Sequence, residues 1–397
     1  MLSKIKTKLG NFKETARRSK YAHYYKDYDI EDNIILYDSY FSRGMLCNPY
    51  AIFRELLSNS EFDNFTHVWV VDDRVGNEPV MEQFADHNNI YVIRRHSNDH
   101  LKYLATAHYI ISNVSLPFYY CKKPGQIFVN TWHGTPIKSL GYDIPGSAAT
   151  ISNVLRNMLS ADYMISANPF LTEVYLDKYK LRGLYNGSII EEGYPRNDRL
   201  LNCPKEEIKS LLLKYGIELE KDKQVILYAP TWKGADYNKP EVNPDDYYNF
   251  KRELEEYIDT DKYQILLKPH QVVYKELVKS GMFSNSLIPA FIDTNELLSI
   301  TDILISDYSS IFFDFLASNK PVLFYIPDLE EYKNYRGLYM EPEKLPGPAL
   351  TSVREIGNSI NNLEGVINKY SESYSRAKDF ACPYDDVNVS SRIVDIV

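Results

Sequence analysis

Ile127-Phe128-Val129-Asn130-Thr131-Trp132-His133-Gly134-Thr135-Pro136 reads as a short apolar strand that empties into a polar loop carrying glycine and proline. The pattern recurs twice downstream. Ile265-Leu266-Leu267 runs into Lys268-Pro269-His270, and Ile303-Leu304-Ile305 runs into Ser306-Asp307-Tyr308-Ser309-Ser310 ahead of the helical run Ile311-Phe312-Phe313-Asp314-Phe315-Leu316-Ala317. Strands that are apolar throughout are buried on both faces, which is the condition of a parallel sheet covered by helices. In open sheets of that kind ligands bind outside the carboxyl ends of the strands, so polar residues gathered there are candidates for chemistry.

Working outward, similar runs alternate with amphipathic stretches from about Asn33 onward. The first series is Ile34–Tyr37, Val68–Val71, Tyr91–Ile93, Tyr109–Ile111, Ile127–Thr131 and Tyr163–Ser166. The second is Ile189–Ile190, Val225–Tyr228, Ile265–Leu267, Leu287–Ile288, Ile303–Ile305 and Val322–Tyr325. This alternation predicts βαβ units throughout. At 397 residues the chain exceeds what one hydrophobic core usually supports, so two domains are expected. The best boundary is the glycine-, asparagine- and proline-marked segment Lys180–Tyr194. The expected division is a helix over 1–20, a domain over 21–185 and a second over 186–397, both α/β, facing each other across a cleft. The polar segment Gly234–Asp246 reads as either a lid or a surface excursion.

Composition sets limits on function. Hydrophobic residues make up 44% and charged residues 25%, which is ordinary globular usage and argues against disorder. The 34 tyrosines suit wet clefts and leave room for self-association, although base composition of the coding DNA accounts for much of such enrichment. Cys47, Cys121, Cys203 and Cys382 lie far apart, with neither zinc-ligand nor disulfide-framework spacing, which fits a reducing cytoplasm. No run approaches a membrane span, and no signal-peptide core is present at the N-terminus. Residues 1–20 carry seven basic side chains against the single acid Glu14, a charge of +6, which leaves −15 on the rest of a chain of net charge −9. Leu2, Ile5, Leu9 and Phe12 recur there at helical spacing. A basic amphipathic helix on an acidic body suits an anionic membrane surface; a solvated helix packed on its own domain is the alternative. Nucleic acid is disfavoured, because the acidic body would repel it.

The strand-end residues then divide by chemistry. His133 is the candidate general base, its imidazole titrating near neutral pH, with Gly134, Thr135, Pro136 and Ile137 shaping the approach to it. Lys268, Pro269 and His270 form a turn able to hold a diphosphate and relieve its charge as a bond to phosphorus breaks. Ser309 and Ser310 sit where a helix begins, and Asp314 follows one turn on, able to reach a ligand hydroxyl. Ordinary N-capping accounts for one of those serines. Pro230 and Thr231, in Ala229-Pro230-Thr231-Trp232-Lys233, add another strand end, and Arg196 in Gly193-Tyr194-Pro195-Arg196-Asn197-Asp198 supplies a guanidinium beside the boundary. Dinucleotide-binding, Walker, zinc-protease and nucleophile-elbow signatures are absent. Asp72–Asp73, Asp245–Asp246 and Asp385–Asp386 lack strand-end context, so neither a metal nor another cofactor is expected.

Together these motifs, in this order over Gln126 to Tyr339, and with the ending Asp385-Asp386…Ser390-Ser391-Arg392, resemble the CDP-glycerol glycerophosphotransferase family of teichoic acid synthesis. The resemblance implies a GT-B-like pair of Rossmann-type domains with CDP-glycerol held mainly by the second. It implies a lipid-linked saccharide or poly(alditol phosphate) acceptor, and peripheral attachment to the cytoplasmic face of the membrane. It gives His133 the base role and His270 the role of assisting at the phosphates. It puts Arg196, Thr231, Ser309, Ser310 and Asp314 in the donor pocket, and it carries over only weakly to residues 1–125. CDP-ribitol is the alternative donor. A GT-B glycosyltransferase or nucleotide-sugar epimerase, and a catalytically inert membrane scaffold, are the rival readings.

Overall fold

The computed structural model describes residues 2–144, 150–231, 233–236, 239–241, 243–281, 285–329, 339–340 and 344–397, with the side chains at 2–11, 74–75, 233–241 and 272 outside that description. The side chains of Leu2, Ile5 and Leu9, and the whole of Trp232, which bear on the sequence reading, therefore lie outside the described residues.

Two parallel sheets form the scaffold. The first contains β1 (Glu31–Asp38), β2 (Thr66–Val70), β3 (Ile90–Ile93), β4 (Ala107–Ser112), β5 (Ile127–Asn130), β6 (Tyr163–Ser166) and β7 (Ser188–Glu191), in the order β3-β2-β1-β4-β5-β6-β7. After β8 (Gln224–Tyr228), a hairpin of β9 (Lys233–Asp236) and β10 (Lys239–Glu241) stands apart. The second sheet is completed by β11 (Tyr263–Leu267), β12 (Ile303–Ser306), β13 (Val322–Tyr325) and β14 (Ala349–Leu350), in the order β11-β8-β12-β13-β14. All ladders within the two sheets are parallel.

Residue alternation explains why the second sheet takes helices on both faces. Ile303 and Ile305 join one core with Ile226, Ile265 and Leu323, while Leu304 joins the other with Leu227, Leu266 and Phe324. A strand with no polar face has nowhere to meet water, and each fully buried Leu or Ile stabilises the fold by about 1.5–3 kcal/mol.

Two strand expectations need correction. Ile189–Ile190 was assigned to the second series, but β7 pairs with β6 and closes the edge of the first sheet. Leu287–Ile288 forms no strand, only a single parallel bridge from Leu287 to Leu267, because Pro289 follows and cannot extend a ladder. The short strand β14 and the β9–β10 hairpin had no counterpart among the candidates.

The lobes are joined twice. The chain leaves the first at Glu192–Tyr194 and enters the helix Pro195–Asn202; the final helix, Val389–Ile396, returns to the first lobe, where Val389 and Ile393 enter its core. Asp198 accepts from the backbone N–H groups of Val389 (3.1 Å) and Ser390 (2.7 Å), so the outgoing helix caps the returning one. Tyr194 N–H donates to Asp385 at 2.9 Å. Gly193 has φ +94°, and a Cβ there would meet Asp385 Oδ1 at 2.8 Å, so the crossing packs too closely for a side chain. Arg392 ties the crossing down through Glu192, Tyr384 O and Asp386.

Candidate active site

Between the lobes lies a cleft of about 370 Å³, lined by the carboxyl ends of strands from both sheets. Every site residue expected from sequence lines it: His133, Gly134, Thr135, Pro136, Ile137, Arg196, Pro230, Thr231, Lys268, Pro269, His270, Ser309, Ser310 and Asp314. Convergence is a property of the placement; what each side chain does there follows from its partners.

His133 follows β5 by way of Trp132, which takes a left-handed φ of +50° to turn the strand end. Its ring stacks on Trp132 (centroids 4.7 Å apart) and meets Tyr40 edge-on at 6.0 Å. Nδ1 lies 2.7 Å from the carbonyl oxygen of Asn113. A carbonyl only accepts, so Nδ1 bears the proton and donates, and Nε2 is left as the unprotonated nitrogen. Burial pushes the imidazole down to about 4, against the pull of the Asn113 bond and with help from the charge of Arg196. The ring is therefore neutral at physiological pH, the state a base requires. His270 is likewise held down to about 4 by burial, the charges of Arg43 and Lys138 adding to the effect.

Gly134 makes the cleft narrow. Its φ of +155° is a conformation that side chains rarely adopt, and a Cβ there would push Ser310 Oγ, 2.8 Å away, and crowd Ser310 Cβ at 3.3 Å, so glycine suits the close approach of the His133 loop to the Ser309–Ser310 turn. Its N–H donates to Tyr194 OH at 3.1 Å, and Thr135 Oγ1 accepts from Asn168 at 2.9 Å. The helix after Ser310, Ile311–Phe315, is little more than one turn, so its dipole contributes less than a long helix would.

Four residues expected at the ligand, Arg196, Asp314, Lys268 and Thr231, line the cleft and also make contacts within the fold. Arg196 and Asp314 pair with each other, Nη2 lying 2.7 Å from Oδ2, with each side chain only 6% exposed. Nη1 of Arg196 donates to the carbonyl of His133 at 2.9 Å and lies 3.2 Å from Cys47 Sγ, while its guanidinium covers the Tyr194 ring at 4.8 Å. Arg196 thus braces the His133 loop. Lys268 Nζ donates to the carbonyls of Pro289 (3.1 Å) and Ile292 (2.8 Å), and burial lowers its pKa to about 8 while Asp293 opposes. Thr231 donates from both N–H and hydroxyl to Asp307 at 2.9–3.0 Å, and burial raises that carboxyl to about 6.

Residues that strand-end reasoning passed over also line the cleft: Tyr40, Arg43, Cys47, Lys138 and Asp293. Tyr40 and Arg43 follow β1 directly, so the rule applied to β5, β11 and β12 would have found them. Asn48 is a hidden brace, its amide donating to Thr131 O and Trp132 O and its Oδ1 accepting from Arg196 N–H. Among the described residues no three His, Cys, Asp or Glu side chains converge as metal ligands. Asp73 caps a helix, Asp246 accepts from Asn243, and Asp385 and Asp386 serve the interlobe crossing.

Comparison with known proteins extends this picture. Residues 20–397 match the model of the family described as CDP-Glycerol:Poly(glycerophosphate) glycerophosphotransferase. The chain is 33% identical over 386 residues to a teichoic acid poly(glycerol phosphate) polymerase of Bacillus spizizenii, covering 92% of this chain and 91% of that protein. It is 32% identical to the Bacillus subtilis protein of the same name, with 93% of the chain aligned but spanning only 49% of that relative's length. A teichoic acid poly(ribitol-phosphate) polymerase of Bacillus spizizenii matches at 27% over 67% of the chain and 42% of that protein. Among solved structures, the wall teichoic acid polymerase TagF superposes with a TM-score of 0.79 at 27% identity, over 100% of this chain and 97% of that one. A UDP-N-acetylglucosamine 2-epimerase from Listeria monocytogenes described as putative shares the two-lobed fold at a TM-score of 0.52 and 13% identity, over 92% of this chain and 95% of that one.

Proposed function

Because the chain belongs to the CDP-glycerol:poly(glycerophosphate) glycerophosphotransferase family, we propose that it transfers glycerol phosphate from CDP-glycerol to the terminal hydroxyl of a poly(glycerol phosphate) chain on a lipid-linked saccharide. The observation that carries the mechanism is the protonated Nδ1 of His133 on the Asn113 carbonyl, which leaves Nε2 unprotonated on a residue that lines the same cleft as His270. The acceptor hydroxyl attacks the phosphorus bearing glycerol as Nε2 takes its proton. The bond from that phosphorus to the bridging oxygen breaks, and CMP departs with both electrons of that bond. His270, with Ser309 and Ser310, faces the departing phosphate. Arg196 and Asp314 hold the His133 loop in register, which is where positional accuracy contributes most to the rate.

Ribitol as the transferred alditol has weaker support, since the ribitol-named relative aligns over a shorter part of the chain. Sugar transfer, the reading that keeps the fold and changes the reaction, differs in product: a nucleoside diphosphate rather than CMP. The work site we infer is the cytoplasmic face of an anionic membrane. Supporting this, Lys13, Arg17, Arg18 and Lys20 lie on the helix Leu2–Asp27, and Phe12 on the same helix is 74% exposed. Among the described residues no helix is long and apolar enough to cross a membrane.

The test is CMP release from CDP-glycerol and CDP-ribitol with a lipid-linked acceptor, with product length read by mass spectrometry. His133→Asn should lower turnover by about 100-fold or more while leaving the circular dichroism spectrum intact. Near-normal CMP release by that variant would remove the base assignment.

A further inference from the structure

The first lobe contributes to the cleft a turn that the motifs do not explain. After β1 the chain passes through Tyr40, Phe41 and Ser42 with φ of +48°, +60° and +64°, three consecutive non-glycine residues in the left-handed region. Side chains rarely adopt that conformation singly, and a run of three persists only where surrounding structure dictates it. Here it does: buried Asp38 accepts from Ser42 N–H (2.6 Å) and hydroxyl (3.1 Å), Asn113 Oδ1 accepts from Tyr40 N–H (2.9 Å), and Ser42 O accepts from Asp72 N–H (2.7 Å). Asn113 is the residue whose carbonyl orients His133. One residue therefore fixes both the base and the turn.

What the turn delivers is Tyr40, edge-on to His133, and then Arg43, which lines the cleft. Arg43 N–H closes the turn onto Ser39 O at 3.1 Å, and Asn77 grips Arg43 O at 2.9 Å. Lys138 reaches the same cleft from the loop that follows His133. Arg196 and Lys268, the other two cations that line the cleft, are held by Asp314 and by two carbonyls, and Arg43 and Lys138 also interact within the fold. The charge of Lys138 also bears on Asp307, beneath the Thr231 turn.

We propose that the left-handed turn Tyr40–Arg43 is the acceptor-phosphate element of the first lobe, with Arg43, assisted by Lys138, holding the last phosphodiester of the acceptor while its terminal hydroxyl meets His133. This rests on the proposed glycerol-phosphate transfer and names the substrate feature it reads. A growing poly(glycerol phosphate) chain always presents a phosphodiester one glycerol unit from the attacking hydroxyl. A guanidinium carried on the same turn as the ring that flanks the base is suited to that anion. The donor diphosphate has the same chemistry, so the experiment must separate the two.

The experiment measures KM for a synthetic lipid-linked acceptor ending in one glycerol phosphate, KM for CDP-glycerol and kcat, for wild type, Arg43→Gln, Lys138→Gln and the double variant. The dissociation constant of CDP-glycerol is measured alongside by calorimetry. The acceptor KM should rise about tenfold or more in Arg43→Gln and further in the double variant, with CDP-glycerol affinity within twofold of wild type. Added salt should raise the wild-type acceptor KM more steeply than that of the double variant. An unchanged acceptor KM in the double variant overturns the inference, and so does an equal loss of CDP-glycerol affinity, which would assign the cations to the donor. Wild-type turnover with either of those results sinks this inference alone. Absence of CMP release from the wild type sinks the proposed function and this inference with it.

Discussion

Replacing Asp314 with alanine separates a structural ion pair from a ligand contact. Its carboxylate meets Arg196 Nη2 at 3.0 Å through Oδ1 and 2.7 Å through Oδ2, and both side chains are 6% exposed. Asp314→Ala would strand a guanidinium that cannot lose its proton and whose Nε already has no hydrogen-bond partner among the described residues. Breaking a buried pair by removing one partner typically costs about 3–5 kcal/mol. Arg196 keeps the His133 carbonyl at 2.9 Å, so the lower end, about 3 kcal/mol, is the expected loss. Urea denaturation followed by fluorescence should show the lowered midpoint. The double variant Arg196→Met/Asp314→Leu, which removes both charges, should regain much of the stability yet release little CMP, because the His133 loop has lost its brace. If Asp314→Ala unfolds within about 1 kcal/mol of wild type, the range of an exposed pair, the reasoning fails. Loss of CDP-glycerol affinity at unchanged stability would instead restore Asp314 to the ligand.

Two further outcomes follow from the cleft. Burial depresses both His133 and His270 to about 4, so their neutral forms should persist as pH falls from 7 through 6.5 and protonate only well below it. NMR titration of the imidazole signals, assigned by comparison with His133→Asn and His270→Asn, checks this; a midpoint near 6.5 for either ring would contradict its burial. Gly134→Ala should lower CMP release, since at φ +155° a side chain strains the backbone and its Cβ would crowd Ser310 Oγ at 2.8 Å and Cβ at 3.3 Å. Full activity in that variant would mean that the two loops have slack.

The architecture was legible because strand periodicity is local. Tyr163–Ser166 and Val322–Tyr325 match their strands to the residue, and most others differ by a residue or two at the ends. What failed was membership. Ile189–Ile190 looked like the opening of a new domain because glycine and proline surround it, yet pairing with β6 is a long-range choice that punctuation does not encode. The return of Val389–Ile396 to the first lobe was equally hidden, since its capping by Asp198 joins residues nearly two hundred positions apart. Site membership was legible for the same reason that strands were: carboxyl ends of parallel strands collect on one side of each sheet, so residues at the ends of β5, β8, β11 and β12 had to share a cleft once the lobes faced each other.

Roles were harder to read than positions, and the cations show why. A sequence displays Arg196 and Lys268 beside a ligand crevice, and a positive charge near a diphosphate invites pairing with it. The fold must first satisfy its own buried groups, because an unpaired charge out of water costs several kcal/mol. Arg196 therefore goes to Asp314 and the His133 carbonyl, and Lys268 goes to the carbonyls that end the Pro289–Ile292 turn. Both shape the site from beneath. Charge relief for a leaving CMP is then expected from groups that line the cleft beside it, His270 and the Ser309–Ser310 hydroxyls, while Arg43 and Lys138 are left to the acceptor. Arg43 lies outside the motifs that carried the resemblance, although the family match begins at residue 20, and the strained turn before it is conformational information that residue types alone do not carry.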